Sequence, residues 1–538
     1  MELRACGGPR QANGSCLLFS KIRTMLTTAK TSLQSFDSAE FDRLLKAGDF
    51  ERCHMYVDGQ TTPEALLASA RLALRERRYL AVIGQLSDFP QCSPEERAAC
   101  SVYLGAALGS TRDYVAGARH IDRALETLLP EDALYDEAYY YKSAIAWMQH
   151  EHNEAEKFAE IQLRSSDANN RARAHIVLAW IALRRSDVRQ QVAELQLALD
   201  EIEKADSPDE YYRANALFTL ALLCRELPLP DATDRVRHVY ETMPWTSGLA
   251  LERFQVTRFL AGLDELSGNR LAAFRQFKQA SRFAPSEHWS LFTCLDRAIL
   301  AKNTGENAFA SEQLHEAHEI AQRLSWSDVA GEERSALLLL AELYADENPG
   351  LSEMYLARFR TLGSSVIPML SYGSDPRVRG LQSYSQGMAW LRLGDTRQGE
   401  ASLNEAWQIF DEFDHGWRAA LCAIALFEAT GDRRWMERAA AKIAPWPNSW
   451  IAKRVTQAKA PTVVPIETIP AAKREVLELV RDGRRNADIA KKLGRSPNTV
   501  RNQVSQLFQI FDVKNRTELA SVVSKPVVPI TRLKSAPR

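Results

Sequence analysis

Arg501, Asn502, Ser505 and Gln509 fall at i, i+1, i+4 and i+8 within the stretch Pro497 to Phe511, a spacing that gathers them on one face of a helix. Their side chains are of the kinds that read base edges in a DNA major groove. A guanidinium bonds guanine bidentately, a carboxamide does the same to adenine, and a hydroxyl pairs with either. On the opposite face Val500, Val504, Leu507 and Phe511 stand at i, i+4, i+7 and i+11, an apolar stripe that has to pack on neighbouring elements. A polar helix face is commonly only a solvated one, so the weight falls on the elements that would carry and orient it.

Those elements are written into IAKKLGRSPNTVRNQV, which leads into the stretch. Ala490 is small where two helices would cross closely, and Gly494 takes the left-handed conformation that ends a helix without steric cost. Ser496 suits an N-cap and Pro497 the first helical position. With Val500 and Val504 turned inward this is the spacing of a helix-turn-helix, and Ile469 to Val523 is expected to form four short helices around it.

The string IPAAKREVLELVRDGRRNADIAKKLGRSPNTVRNQVSQLFQIFDVKNRTELASVV, about a tenth of the chain, resembles the C-terminal DNA-binding domain of LuxR-type bacterial transcription regulators. The agreement includes Glu475, Val476 and Leu477, then Gly483, Asn486, Ile489 and Ala490. It continues through Thr499, Val500, Arg501, Asn502 and Val504 to Asn515, Arg516, Thr517 and Glu518. The resemblance implies that Arg501, Asn502 and Ser505 face bases and that Thr499 and Gln503 lie near the phosphate backbone of double-stranded DNA. Asn486, Arg495, Lys514 and Arg516 are further candidates for phosphate contact. The mechanism expected is a homodimer on DNA, joined through a last helix from Asn515 to Ser524, with RNA polymerase as a further partner. Three positions depart from the family pattern: Gln503 replaces a usual His, Arg495 an apolar turn residue, and Asp512 a common Gly. Gln503 still donates to phosphate. Arg495 reads equally as an exposed turn residue with its stem on apolar surface or as an added phosphate contact.

Charge is divided along the chain in the same sense. From Ile466 to Arg538 there are 15 Lys and Arg against 7 Asp and Glu, a net of +8, whereas residues 1–465 carry 53 against 62, a net of −9. A basic end on an acidic body concentrates the attraction for phosphates at that end.

The whole chain has 45% hydrophobic and 25% charged residues, an ordinary soluble composition, and no apolar run near the roughly 18 residues of a membrane span. Only Leu17 to Phe19 is apolar near the start, too little for a signal peptide, so a cytoplasmic location is expected. Residues 1–35 are expected to be disordered, with Met1 and Met25 both open as starts. The eight cysteines form no CxxC pair, in keeping with a reducing compartment.

Residues 36–457 read as helix throughout, with recurring small-residue turns. Ala273, Phe277, Ala280 and Pro285 after Gly268, then Ala310, Leu314 and Ala317 after Gly305, and Gly399, Leu403 and Ala406 after Gly394 repeat one pattern. They resemble the second helix of tetratricopeptide repeats. Asp49, Asp113, Asp187, Asn269, Glu306, Asp395 and Asp432 stand at equivalent turns, and Leu104 and Gly105 match a first-helix signature. The expected fold class is all-α: a tetratricopeptide-like alpha-solenoid of about nine to eleven helical hairpins, then a small four-helix LuxR-type helix-turn-helix domain at 469–524. A Pro-rich linker at 458–470 would act as a semi-rigid tether, and a basic tail at 525–538 is expected to be disordered.

A solenoid leaves a concave groove suited to a protein or peptide ligand. Tyr139, Tyr140, Tyr141, Trp147 and Trp180 are candidates to line it, although aromatics at helical spacing more often belong to a core, and Arg184 and Arg185 read as a solvated face. The sequence holds no GxxxxGK[ST] loop, GxSxG elbow, HExxH helix or Rossmann fingerprint, and its front lacks the strand–helix alternation of a receiver domain. His315 with His318, and His150 with His152, lack the further ligands of a metal site. No enzyme activity, cofactor or metal is expected. The expected function is a DNA-binding transcriptional regulator controlled through its repeats. The alternatives are a protein-interaction scaffold whose terminal domain docks a protein, and a promoter reader resembling region 4 of sigma factors.

Overall fold

Short polar turns break the Ala- and Leu-rich sequence into helices that fold back on one another in pairs. The computed structural model describes residues 36–89, 93–326, 331–362, 376–458 and 469–511, with 513, 516, 519 and 520. Among these residues there are α-helices and one 3-10 turn, Ser247–Leu249, and the chain is all-α. The expected disordered ends and nearly all of the Pro-rich linker lie outside the described residues.

Eleven antiparallel hairpins follow in order among the described residues. They begin with Ser38–Lys46 paired to Phe50–Val57 and finish with Gly416–Thr430 paired to Arg433–Ile443, after which the single helix Trp450–Gln457 closes the stack. Most of the turns inside the pairs share one device. Each of Asp49, Asp113, Asp187, Asn269, Glu306, Asp395 and Asp432 is the N-cap of the second helix of its pair. The residue before each is left-handed: Gly48, Arg112, Ser186, Gly268, Gly305, Gly394 and Gly431, with φ between 55° and 93°. Five of the caps are aspartates whose carboxylates accept a backbone N–H of the first turn, which satisfies a donor that the helix cannot. The same turn recurs at Arg77–Arg78 and His150–Glu151, where the left-handed residue is not glycine.

Packing within and between neighbouring hairpins is apolar. Ala273, Phe277, Ala280, Leu314, Ala317, Leu403 and Ala406 are all buried, the small residues allowing the close approach of paired helices. Tyr140 and Trp147 belong to the largest core cluster, with Tyr141 and Trp180 packed on its margin. Arg185 pairs with Glu156 at 2.6 Å, and Arg184 lies over the Trp147 ring.

The stack also coils back on itself. The fifth hairpin meets the tenth through Ser186 and Glu412 and through a small cluster of Leu183, Ile409 and Phe413. The sixth, led by helix Glu210–Glu226, meets the eleventh through a buried bidentate pair, Arg418 with Glu226, at 2.7 and 2.8 Å. Trp417 Nε1 adds a bond to the Arg225 carbonyl at 3.0 Å. Nearer the start, Arg75 and Arg77 of the second hairpin reach Asp209 and Glu252. Successive turns of the superhelix are therefore joined by buried polar and ionic contacts as well as by apolar clusters such as Leu266 with Trp417 and Leu421. Among the described residues no helix is long and apolar enough to cross a membrane.

Candidate nucleic-acid interface

Three helices of the C-terminal segment are described: Ala471–Arg481, Asn486–Leu493 and Pro497–Phe511. They share a core of their own, made by Val476, Leu477, Leu479 and Val480 from the first, Ile489 and Ala490 from the second, and Val500, Val504, Leu507 and Phe511 from the third. Ile469 and Leu519 complete it from either side. Of the expected fourth helix only Arg516, Leu519 and Ala520 are described, and they are helical; Asp512, Lys514 and Asn515 lie outside the described residues.

The turn is built from the residues that the spacing singled out. Gly494 ends the second helix at φ +63°, and the next amide, Arg495 N–H, bonds back to the Ala490 carbonyl at 2.9 Å. Ser496 Oγ accepts the Thr499 N–H at 3.1 Å, and Pro497 occupies the first helical position. Ala490 is 3% exposed where the second and third helices cross.

Packing of the apolar stripe turns the opposite face of Pro497–Phe511 outward. Arg501, Asn502, Ser505 and Gln509 are all exposed, as are Asn498 and Gln506 beside them. Asn498 accepts from Arg501 Nη1 at 3.4 Å, a long contact that leaves the guanidinium available to a ligand. Asn498 stands three residues before Arg501, so helical spacing alone places it on the same exposed face. Lys491 and Lys492 at the end of the second helix, and Arg484 and Arg485 before it, are exposed as well and make a basic margin around the turn.

The phosphate-contact candidates divide by what already holds them. Thr499 is exposed, with its hydroxyl 2.8 Å from Ser496 Oγ. Arg495 reaches back to the first helix, bonding the Ala472 carbonyl at 2.8 Å and Glu475 at 2.9 Å, and it also donates to Gln503 Oε1 at 3.1 Å. It thus bridges the turn, the first helix and the third helix, and Gln503 keeps its NH2 for donation outward. Arg516 bonds Asn486 Oδ1 at 2.7 Å and the Arg484 carbonyl, tying the last segment to the start of the second helix. Burial holds its guanidinium below the usual arginine range. Lys514 is outside the described residues. Elsewhere, His318 Nδ1 lies 2.6 Å from the Tyr355 hydroxyl.

This geometry is that of a LuxR-type helix-turn-helix domain, and residues 472–523 match the family model GerE, described as bacterial regulatory proteins, luxR family. A stretch of 45 residues, 8% of the chain, is 47% identical to the transcriptional regulatory protein DesR of Bacillus subtilis (strain 168). The match spans 23% of that protein. Over most of the chain there is similarity to solved helical structures at low identity. A Rap protein complexed with competence and sporulation factor shares 12% identity at a TM-score of 0.37, covering 78% of this chain and 98% of that one. The Cut9–Hcn1 hetero-tetramer of the APC/C shares 11% at 0.23, covering 82% and 99%. At such scores the repeat architecture rests on this chain's own packing.

Proposed function

We propose that the protein is a transcription regulator that reads a specific DNA site with Pro497–Phe511 and is controlled through its helical repeats. The observation that carries this reading is the exposed row Asn498, Arg501, Asn502, Ser505 and Gln509, fixed in orientation by the fully packed stripe behind it. Arg501 and Asn502 have the geometry of choice for guanine and adenine edges, and the basic margin supplies sequence-independent attraction. The match to DesR supports regulation of transcription as the outcome.

A single domain of this size buries only about 600–1,000 Å² on DNA, so two copies on adjacent half-sites are proposed for tight binding. The repeat region would set whether two reading heads meet, by holding a ligand or a second protomer. A location in the cytoplasm follows from that role. DNase footprinting of the full chain, at two salt concentrations, tests the reading. Protection of discrete sites sharing a sequence, with affinity falling steeply as salt rises, is expected. Protection without sequence preference, or none, would leave the domain as a protein-docking module instead.

A further inference from the structure

The coiling of the solenoid encloses a cavity of about 430 Å³, within the range of small-molecule sites. Its walls are the first helices of successive hairpins: Glu210–Glu226, Ala250–Leu266, Glu287–Thr304, Gly331–Tyr344 and Pro376–Leu393. The eleventh hairpin and Trp450–Gln457 close it from the next turn. Aromatic rings are prominent in it, among them Phe259, Tyr384, Trp417 and Trp450.

Its charges are unevenly matched. Arg258 is paired with Asp296, Arg418 with Glu226 and Arg454 with Glu428. Arg225 has no ion pair among the described residues, and its buried Nε has no hydrogen-bond partner. The guanidinium lies between the rings of Phe259 and Trp417, at 5.9 and 5.6 Å from their centroids. Gly262 makes its room: a Cβ there would stand 2.6 Å from Arg225 Nε. One turn further along the same helix is Glu265, also on the cavity wall and without an ion pair among the described residues; its neutral contacts are Asn303 Nδ2 at 3.4 Å and the Trp450 side chain. Burial holds Arg225 below and Glu265 above their ordinary ranges: the charges of Glu226 and Asp296 act on the first and that of Arg225 on the second, but neither group forms a direct ion pair among the described residues and burial outweighs them.

We infer that this cavity binds a compact zwitterion with an apolar or aromatic side chain, of free amino acid or dipeptide size. Its carboxylate would bond Arg225, its ammonium group Glu265, and its side chain would lie among the rings. The ligand would touch both turns of the superhelix, since Arg225 and Glu265 belong to one and Trp417 and Trp450 to the next. Occupancy would then fix how those turns stack, which makes it a signal able to reach the reading head. The inference rests on the proposal that the repeats are the controlling part. It concerns binding at the repeats alone, so its failure is distinguishable from failure of DNA reading.

Isothermal titration calorimetry on the full chain tests it with phenylalanine, leucine and the dipeptide Phe-Phe, set against phenylalaninamide and N-acetylphenylalanine. At least one of the three zwitterions is expected to bind, and capping either charged end should weaken binding about tenfold or more, as expected for a lost charged hydrogen bond. Preference for the single amino acids or for Phe-Phe identifies which source supplies the two end groups. Arg225→Gln should remove the preference for phenylalanine over phenylalaninamide, and Glu265→Gln the preference over N-acetylphenylalanine. The near-isosteric Glu265→Gln carries the test if Arg225→Gln fails to fold. Absence of binding by all three zwitterions, or equal binding of the capped forms by the wild-type chain, overturns the inference.

Discussion

Arg501 is the residue on which the proposed sequence reading most depends, since its exposed guanidinium has one long intramolecular contact among the described residues and the fork geometry that pairs with guanine. Arg501→Ala is expected to cost about 1–3 kcal/mol of site affinity and to relax the preference at one base position, measured by binding to a library of single-base variants. Gly494 bears on folding instead. At φ +63° it holds a conformation that costs a residue with a Cβ about 1–2 kcal/mol, so Gly494→Ala should destabilise the domain by that amount in urea unfolding, with little change in the site preferred. Both positions were legible from type and spacing, Arg501 as a member of the exposed polar face and Gly494 as the left-handed end of the second helix. Arg495 was not: its spacing left an idle turn residue and a phosphate contact equally open, whereas the structure engages it with Glu475 and Gln503. Contacts made across 20 residues of chain leave no local trace.

At the scale of elements, the helix Pro497–Phe511, the proposed reading element, is positioned by burial rather than by its own propensity. Leu507 is fully buried among the three helices, and Leu507→Ala should cost about 2–5 kcal/mol, seen as faster hydrogen exchange throughout Ala471–Phe511 with the hairpins unaffected. The hairpins were legible wherever a glycine or aspartate marked the turn. Asp49, Asp113 and the five like them cap second helices as the recurring pattern implies, because an aspartate carboxylate and a left-handed neighbour are local requirements. The turns at Arg77–Arg78 and His150–Glu151 take the same form with residues that carry no such preference, so only the packing of the flanking helices reveals them.

For the whole molecule the contacts between superhelical turns matter most, and these were invisible in the sequence because they join residues nearly two hundred apart. Burial raises the Glu226 carboxyl pKa, but Arg418, then His415 and the Arg418 hydrogen bonds, outweigh it, and the net shift is below the ordinary value of 4.5. A depressed pKa contributes stability that is present above 4.5 and is lost as pH falls through the lower folded value. Glu226→Gln leaves Arg418 buried without its partner and should cost about 3–5 kcal/mol at neutral pH. That difference is expected to shrink below pH 4.5 as the wild-type carboxyl is protonated, a trend that urea unfolding at a series of pH values would show.

The central claim, that this chain regulates transcription by reading DNA with Pro497–Phe511, is tested most directly by genome-wide occupancy of the full protein beside its Arg501→Ala variant in the native cell. The account predicts discrete occupied sites that share a sequence for the wild type, and loss or blurring of that shared sequence for the variant. Occupancy with no shared sequence, or an unchanged set of sites in the variant, would contradict it.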